Sequence, residues 1–263
     1  MTVTETERSE LLGTKIIKIA LIISITVLTS FAGAAADYQL SSDTEWNKGS
    51  TENTTVQNGG LFLQKEKIID NFNDNSLDPK WLTTDQDQDS GTSFDETNEQ
   101  LEIFAGGADI WTNDDEYGAV YREDISGDWT TTLTVTYQQD GVNDWSKSGI
   151  AVKNDMTASA SATGYAVITA TPGNGVSFQY DSNGDGNLDS NQEACTSYTE
   201  PVKIRMVKDG NQLTGLCSTD GGDTWTTVNS ASPSGMQSIQ DVGVISTSHS
   251  SGELVEARFD DWN

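Results

Sequence analysis

Apolar residues fall along this chain in two patterns. Near the N-terminus, Ile19 to Phe31 is almost wholly apolar, follows Lys15 and Lys18, and runs into Ala34-Ala35-Ala36. A charged start, an apolar middle and a small-residue exit mark residues 1–36 as a secretory signal peptide. The stretch from Ile19 to Ala36, about 18 residues, is also just long enough to remain as a single-span anchor. In both cases the positive flank places the rest of the chain outside the membrane. Beyond the first forty residues no amphipathic helical run occurs. Short segments instead alternate apolar and polar residues, as in Leu133-Thr134-Val135-Thr136-Tyr137, the period-two mark of a strand with one face on a core.

This alternation, bounded by Gly, Asn and Asp turns, predicts strands at 100–104, 118–122, 129–137, 148–153, 164–170, 176–180, 202–208, 212–217, 224–228 and 242–246. Two shorter ones, 54–57 and 60–63, fall in a leader over residues 37–66. Residues 67–263 then form one domain. About a dozen such strands give an all-β fold, a two-layer antiparallel β-sandwich of the jelly-roll kind. Residues 68–72 and 256–263 are both strand-like, and pairing them would close the domain and hide both edges.

Residues 143–155, N-D-W-S-K-S-G-I-A-V-K-N-D, hold the arrangement together. The second half reads as a strand buried in a sheet. The first half sets Asp144, Trp145 and Lys147 at its mouth. That cluster is either a binding surface or a corner in which Trp145 plugs the sandwich and Lys147 pairs with Asp144 in solvent.

Charge narrows the partners. The chain has 41 acidic and 14 basic residues, a formal charge of -27. Such a surface repels nucleic acid and anionic membranes, so neither is expected as a partner beyond an N-terminal membrane anchor. The acidity is interleaved with apolar residues along the whole chain, unlike a disordered acidic tail. Composition in this respect resembles proteins of extreme halophiles.

Four stretches carry a resemblance: F-N-D-N-S-L-D-P-K-W at 72–81, A-D-I-W-T at 108–112, N-D-W-S-K-S-G-I-A-V-K at 143–153 and S-T-D-G-G-D-T-W at 218–225. With the closing F-D-D at 259–261, they resemble the concanavalin A-like lectin/glucanase superfamily, and within it the DUF1349-like, laminin-G-like domains of extracellular carbohydrate-active proteins. The resemblance implies a jelly roll from Ile68 onward and a concave sheet that binds glycan. It also implies a structural calcium ion near the paired termini, at Asp70, Asn71 and Asp260. The glucanases of that superfamily carry an E-x-D-x-x-E strand motif that this sequence lacks. The expectation is therefore a non-catalytic module, secreted or at the cell surface, that binds glycan or cell-surface polysaccharide. Two rivals stand beside it: a hydrolase with an unrecognised carboxylate pair, and a structural component of an envelope or filament.

Sugar recognition needs an aromatic face for the pyranose ring and a few polar groups for its hydroxyls. Trp111, Trp145, Trp225 and Tyr180 are the candidate faces, with Asp109, Asp144 and Lys147 as polar partners; core packing and turn formation are the plainer readings of the same residues. His249, the sole histidine, reads as a loop residue. Asp181, Asn183, Asp185, Asn187 and Asp189 place oxygens at alternate positions around Gly186, with Glu193 one residue late for the closing ligand. This is the spacing of a calcium loop, or else a long acidic hairpin tip. Cys195 and Cys217 are the only cysteines. In a secreted chain they read as a disulfide, the alternative being two free thiols. Asn53, in the only N-x-[ST] sequon, is a glycosylation candidate or a bare surface turn.

Overall fold

The computed structural model describes residues 54–57, 60–63, 70–87, 89–158 and 162–263. The expected signal peptide, residues 1–36, and the sequon at Asn53 lie outside the described residues. The chain divides into two compact units, Met1–Lys67 and Ile68–Asn263. In the first, β1 (Thr54–Gln57) and β2 (Gly60–Leu63) form an antiparallel hairpin where the alternation placed them.

The second unit is a sandwich of two seven-stranded sheets in which every strand pairing is antiparallel, with the strands numbered along the chain. The first sheet runs β11 (Ser190–Ala194), β10 (Gly175–Tyr180), β9 (Ala166–Thr171), β8 (Lys147–Lys153), β15 (Ile239–Thr247), β6 (Gly118–Ser126), β3 (Leu82–Asp85). The second runs β14 (Thr226–Ala231), β13 (Gln212–Ser218), β12 (Val202–Asp209), β7 (Trp129–Gln138), β16 (Val255–Asp260), β5 (Gln100–Ala105), β4 (Ser93–Thr97). Among the described residues there is no helix.

Alternation decides which side chains meet between the sheets. In β12, Val202, Ile204 and Met206 point into the core while Lys203 and Arg205 lie outside it. Ile103, Leu133, Ile150, Val152, Ile168, Phe178, Val244 and Phe259 join them from both layers. β8 is buried at every position because both its faces are covered. On its outer face, Ala151 packs under a second apolar cluster that includes Ile110, Tyr117, Met156, Tyr165 and Leu188. Loops crossing the outer face of the first sheet supply half of the buried residues of that cluster. Inside it Lys153, fully buried, pairs with the equally buried Asp115 and sits 4.5 Å from the centroid of the Tyr165 ring.

The expected closure of the termini is present. Asp70 and Trp262 exchange two backbone hydrogen bonds of 2.8 Å, and Trp262 packs edge-on to Trp81 with ring centroids 5.4 Å apart. The Asp70 carboxylate accepts from the Trp81 indole at 2.7 Å and from the Phe72 amide at 2.9 Å. Its oxygens thus tie the corner, while Asp260 accepts from the Asp261 amide at 2.7 Å. Cys195 and Cys217 are joined as a disulfide, their Cα atoms 6.5 Å apart. It links the end of β11 in the first sheet to β13 in the second.

The strands without a sequence signal are β3, β4 and β11, all at sheet edges. Their side chains are mostly polar and at least partly exposed, so no apolar period marks them. β14, the fourth edge, begins at Thr226, two residues later than the pattern placed it.

Candidate functional site

Three loops meet at one end of the first sheet. The loop after β5 carries Asp109 and Trp111, the turn before β8 carries Trp145, and the turn after β15 carries His249. Buried serines interlock them: Ser146 donates to the Ser248 carbonyl at 2.7 Å, and Ser248 donates to the Gly107 carbonyl at 3.0 Å. Asn143 shapes the turn, accepting from the Trp145 amide at 2.9 Å and donating to the His249 carbonyl at 3.0 Å. His249 itself is held at φ 54°, a left-handed conformation that a non-glycine residue adopts only when its surroundings impose it.

These loops and the outer face of β8, β10 and β11 enclose a cleft of about 370 Å³ lined by Asp109, Trp111, Trp145, Lys147, Gln179, Asn191 and His249. At its base Lys147, 1% exposed, donates to Asp109 Oδ1 at 2.6 Å and to the Trp145 carbonyl at 3.1 Å. Its ammonium also lies 3.1 Å from His249 Nδ1, which is 2.9 Å from Asp109 Oδ1. Burial pushes the Lys147 ammonium below its ordinary value, and the Asp109 charge opposes that shift. Burial works against the Asp109 carboxylate too, but hydrogen bonds from His249 and Lys147 and the ammonium's charge outweigh it, so its value is lowered. An ionised carboxylate at 2.6 Å keeps the buried amine protonated. The two stand as an ion pair.

The alternative in which Lys147 pairs with Asp144 in solvent is corrected by this geometry. Asp144 is exposed and does not line the cleft; its carbonyl accepts from Gly173 at 3.0 Å and from Asn174 at 2.9 Å. The cation instead reaches an aspartate brought in from another loop. Tyr180 also lies elsewhere. It shares the core side of β10 with Phe178, ring centroids 6.1 Å apart, and Gln179 between them faces the cleft. Gln179, Asn191 and His249 are the lining residues that the sequence reading missed. Parity along β10 was the one available signal: two aromatics two positions apart share a face, and the polar residue between them takes the other.

One wall of the cleft is braced by the acidic loop 181–189. Thr112 donates to the Leu188 carbonyl at 2.8 Å, next to Trp111. Asp181 is buried and accepts from the amides of Gly184 at 2.6 Å and Gly186 at 2.9 Å. Asp189 accepts from the Ser182 amide at 2.9 Å and from Asn183 Nδ2 at 2.9 Å, and Asp185 from the Asn187 amide at 3.0 Å. Asn187 Oδ1 is buried with no partner among the described residues. Glu193 stands apart from this loop, on β11 opposite Ser177. Among the described residues no group of three or more acidic, histidine or cysteine side chains is gathered closely enough to hold a metal alone.

No protein-family model matches the sequence, and no curated protein does. Solved structures are similar in fold. A functionally unknown protein from Saccharomyces cerevisiae aligns with a TM-score of 0.54 at 16% identity, over 70% of this chain and 95% of its own. The GH43 BlXynB protein from Bacillus licheniformis aligns with a TM-score of 0.57 at 15% identity, over 77% of this chain and 40% of its own. A GH43B protein of a Bacteroides ovatus xyloglucan locus aligns at 0.54 and 12% identity, over 77% and 42%. The chain thus spans about two-fifths of the GH43 proteins it matches. At these identities the likeness is one of fold.

Proposed function

We propose that the domain is a secreted or surface-exposed, non-catalytic glycan-binding module whose site is the cleft between Trp111 and Trp145. The observation that carries this reading is the lining itself: two half-buried indoles beside amide, imidazole and carboxylate groups in about 370 Å³. An indole offers a flat apolar face to a pyranose ring, and a few fixed polar groups orient the hydroxyls. The hydrolase reading fares worse on the same lining. Asp109 is the sole carboxylate in it, whereas glycoside hydrolysis uses two, separated by roughly 5–10 Å. Self-association has less to stand on as well, since the large exposed hydrophobic residues among those described are Leu82 and Ile239 alone.

Titration of the full chain with oligosaccharides, followed by tryptophan fluorescence and calorimetry, tests the reading. Binding is expected to be lost in Trp111→Ala and in Trp145→Ala, and kept in Trp225→Ala, whose indole stacks on Arg205 in the second sheet at 3.8 Å. Equal loss in all three variants would sink the assignment to this cleft.

A calcium ion at the acidic loop forms part of the proposal. Asn187 Oδ1, buried without a partner, is the kind of oxygen a hard cation takes, with Asp181, Asn183, Asp185 and Asp189 as its companions. The ion would brace the wall that carries Trp111. Calcium is expected to raise the unfolding midpoint of the full chain by mass action, with chelator reversing the rise and Asp185→Ala abolishing it. A midpoint indifferent to calcium removes the ion from the proposal and leaves the cleft as it stands.

A further inference from the structure

Apart from the two indoles, few polar side chains of the cleft are both open and uncommitted. Lys147, Asp109 and Gln179 are buried. Asn191 is exposed, but its amide is engaged at both ends, accepting from Ser177 at 2.7 Å and donating to Glu193 at 2.5 Å. The His249 side chain is 28% exposed. Its Nδ1 lies at the base of the cleft, 2.9 Å from Asp109 Oδ1 and 3.1 Å from Lys147 Nζ. That nitrogen can donate to the carboxylate or accept from the ammonium, but not both. In either case Nε2 is the ring nitrogen left over. It has no hydrogen-bond partner among the described residues, and the shape of the ring turns it away from the base. A sugar hydroxyl both donates and accepts, so it suits Nε2 in either tautomer.

The backbone of the same residue is held in place from three sides. His249 sits at φ 54°, and a non-glycine residue keeps such a conformation only where its surroundings over-determine it, most often at functional sites. Ser248 donates its hydroxyl, and Ser250 its amide, to the Gly107 carbonyl, each at 3.0 Å. Asn143 reaches across from the turn before β8, with Nδ2 on the His249 carbonyl and Oδ1 on the Trp145 amide. One side-chain amide thus sets two lining residues, His249 and Trp145, relative to each other.

Resting on the glycan-binding reading above, we propose that His249 contacts the ligand through Nε2, in one hydrogen bond with a sugar hydroxyl, and that Asn143 is a positioning residue acting through it. His249 is the only histidine of the chain, so with isotope-labelled histidine both ring-nitrogen signals belong to it. The full chain is titrated with gluco-, manno-, xylo- and galacto-oligosaccharides, with affinity read by calorimetry and the ring by nuclear magnetic resonance. A sugar that binds is expected to shift the Nε2 signal more than the Nδ1 signal. A sugar that binds and leaves Nε2 unmoved overturns the contact while leaving the glycan-binding reading intact. Failure of every sugar to bind brings down both.

Two substitutions separate the ring nitrogens. His249→Asn tolerates the left-handed backbone and still reaches Asp109 from the place of Nδ1, but has nothing at the place of Nε2. It is expected to weaken binding roughly two- to tenfold, the net worth of one hydrogen bond. His249→Gln, whose amide reaches the place of Nε2, is expected to retain more affinity than His249→Asn; the reverse order overturns the assignment to Nε2. Asn143→Asp keeps the acceptor for the Trp145 amide and removes the donor to the His249 carbonyl. Its loss of affinity is expected to be of similar size in the parent chain and nearly absent in His249→Asn, because residues that act through one another do not add. Fully additive losses overturn the role assigned to Asn143.

Discussion

Lysine is scarce in this chain, yet two lysines are buried at the two ends of β8, each matched to one aspartate from the loop after β5. Lys147 with Asp109 forms the base of the cleft, while Lys153 with Asp115 sits under Tyr117 and Tyr165. Removing one member of such a pair leaves a buried charge uncompensated, at a cost of about 3–5 kcal/mol, whereas replacing both with apolar groups is often near neutral. Lys153→Met is therefore expected to destabilise the domain by that amount in denaturant unfolding. Adding Asp115→Leu is expected to recover most of the loss. A double variant no more stable than the single one would show that the pair is not the unit that matters. None of this could be seen in sequence alone. Asp144 is close to Lys147 in the chain and was the natural partner to infer; Asp109 becomes the partner only once β5 and β8 are placed in opposite layers with the loop folded over.

Strands were legible where one face is apolar, and invisible where the side chains are polar at the edges. β11 is the instructive case. Its Ser-Asn-Gln-Glu-Ala sequence continues the acidic run 181–189, so Glu193 reads as a late calcium ligand when it is a strand residue facing Ser177 across the ladder. The same strand brings Asn191 to the cleft, which is why that residue escaped notice. The cysteine pair, by contrast, was legible from its even number and from the compartment that the N-terminal stretch leads one to expect. Its disulfide anchors the end of β11 to the opposite sheet. Cys195→Ala with Cys217→Ala is expected to cost about 3 kcal/mol on the chain-entropy account. Freed of the anchor, β11 is also expected to exchange its amide hydrogens faster than β9 and β10, which are paired on both sides. Equal exchange rates would show that β11 is held by its ladder with β10 alone.

At the scale of the whole molecule, the charge sets how stability follows pH. Burial raises the carboxyl groups of Asp85, Glu96, Glu200, Asp241 and Asp260 above their ordinary values. For each, folding favours the protonated form, so its contribution is complete below the ordinary 3.8 or 4.5 and is lost as pH rises through the raised value. Asp109 has the opposite sign. Its folded value lies below 3.8, so its contribution is present above that pH and is lost as pH falls through the lowered value. Repulsion among surface carboxylates adds to the neutral-side loss, and it vanishes near the sequence isoelectric point of 4.1. The three effects place the highest unfolding midpoint on the acid side of neutrality at low salt, with a decline toward neutrality and another in stronger acid. Molar salt is expected to flatten the neutral side, because exposed charges are screened within about 3 Å. The acid side should persist, because the partners that hold Asp109 are enclosed at the base of the cleft. Thermal unfolding from pH 2.5 to 8 at two salt concentrations reads both limbs, and Asp109→Asn should blunt only the acid one. A midpoint that peaks at neutral pH in low salt would mean that the buried carboxyls and the surface charge do not govern the stability of this sandwich.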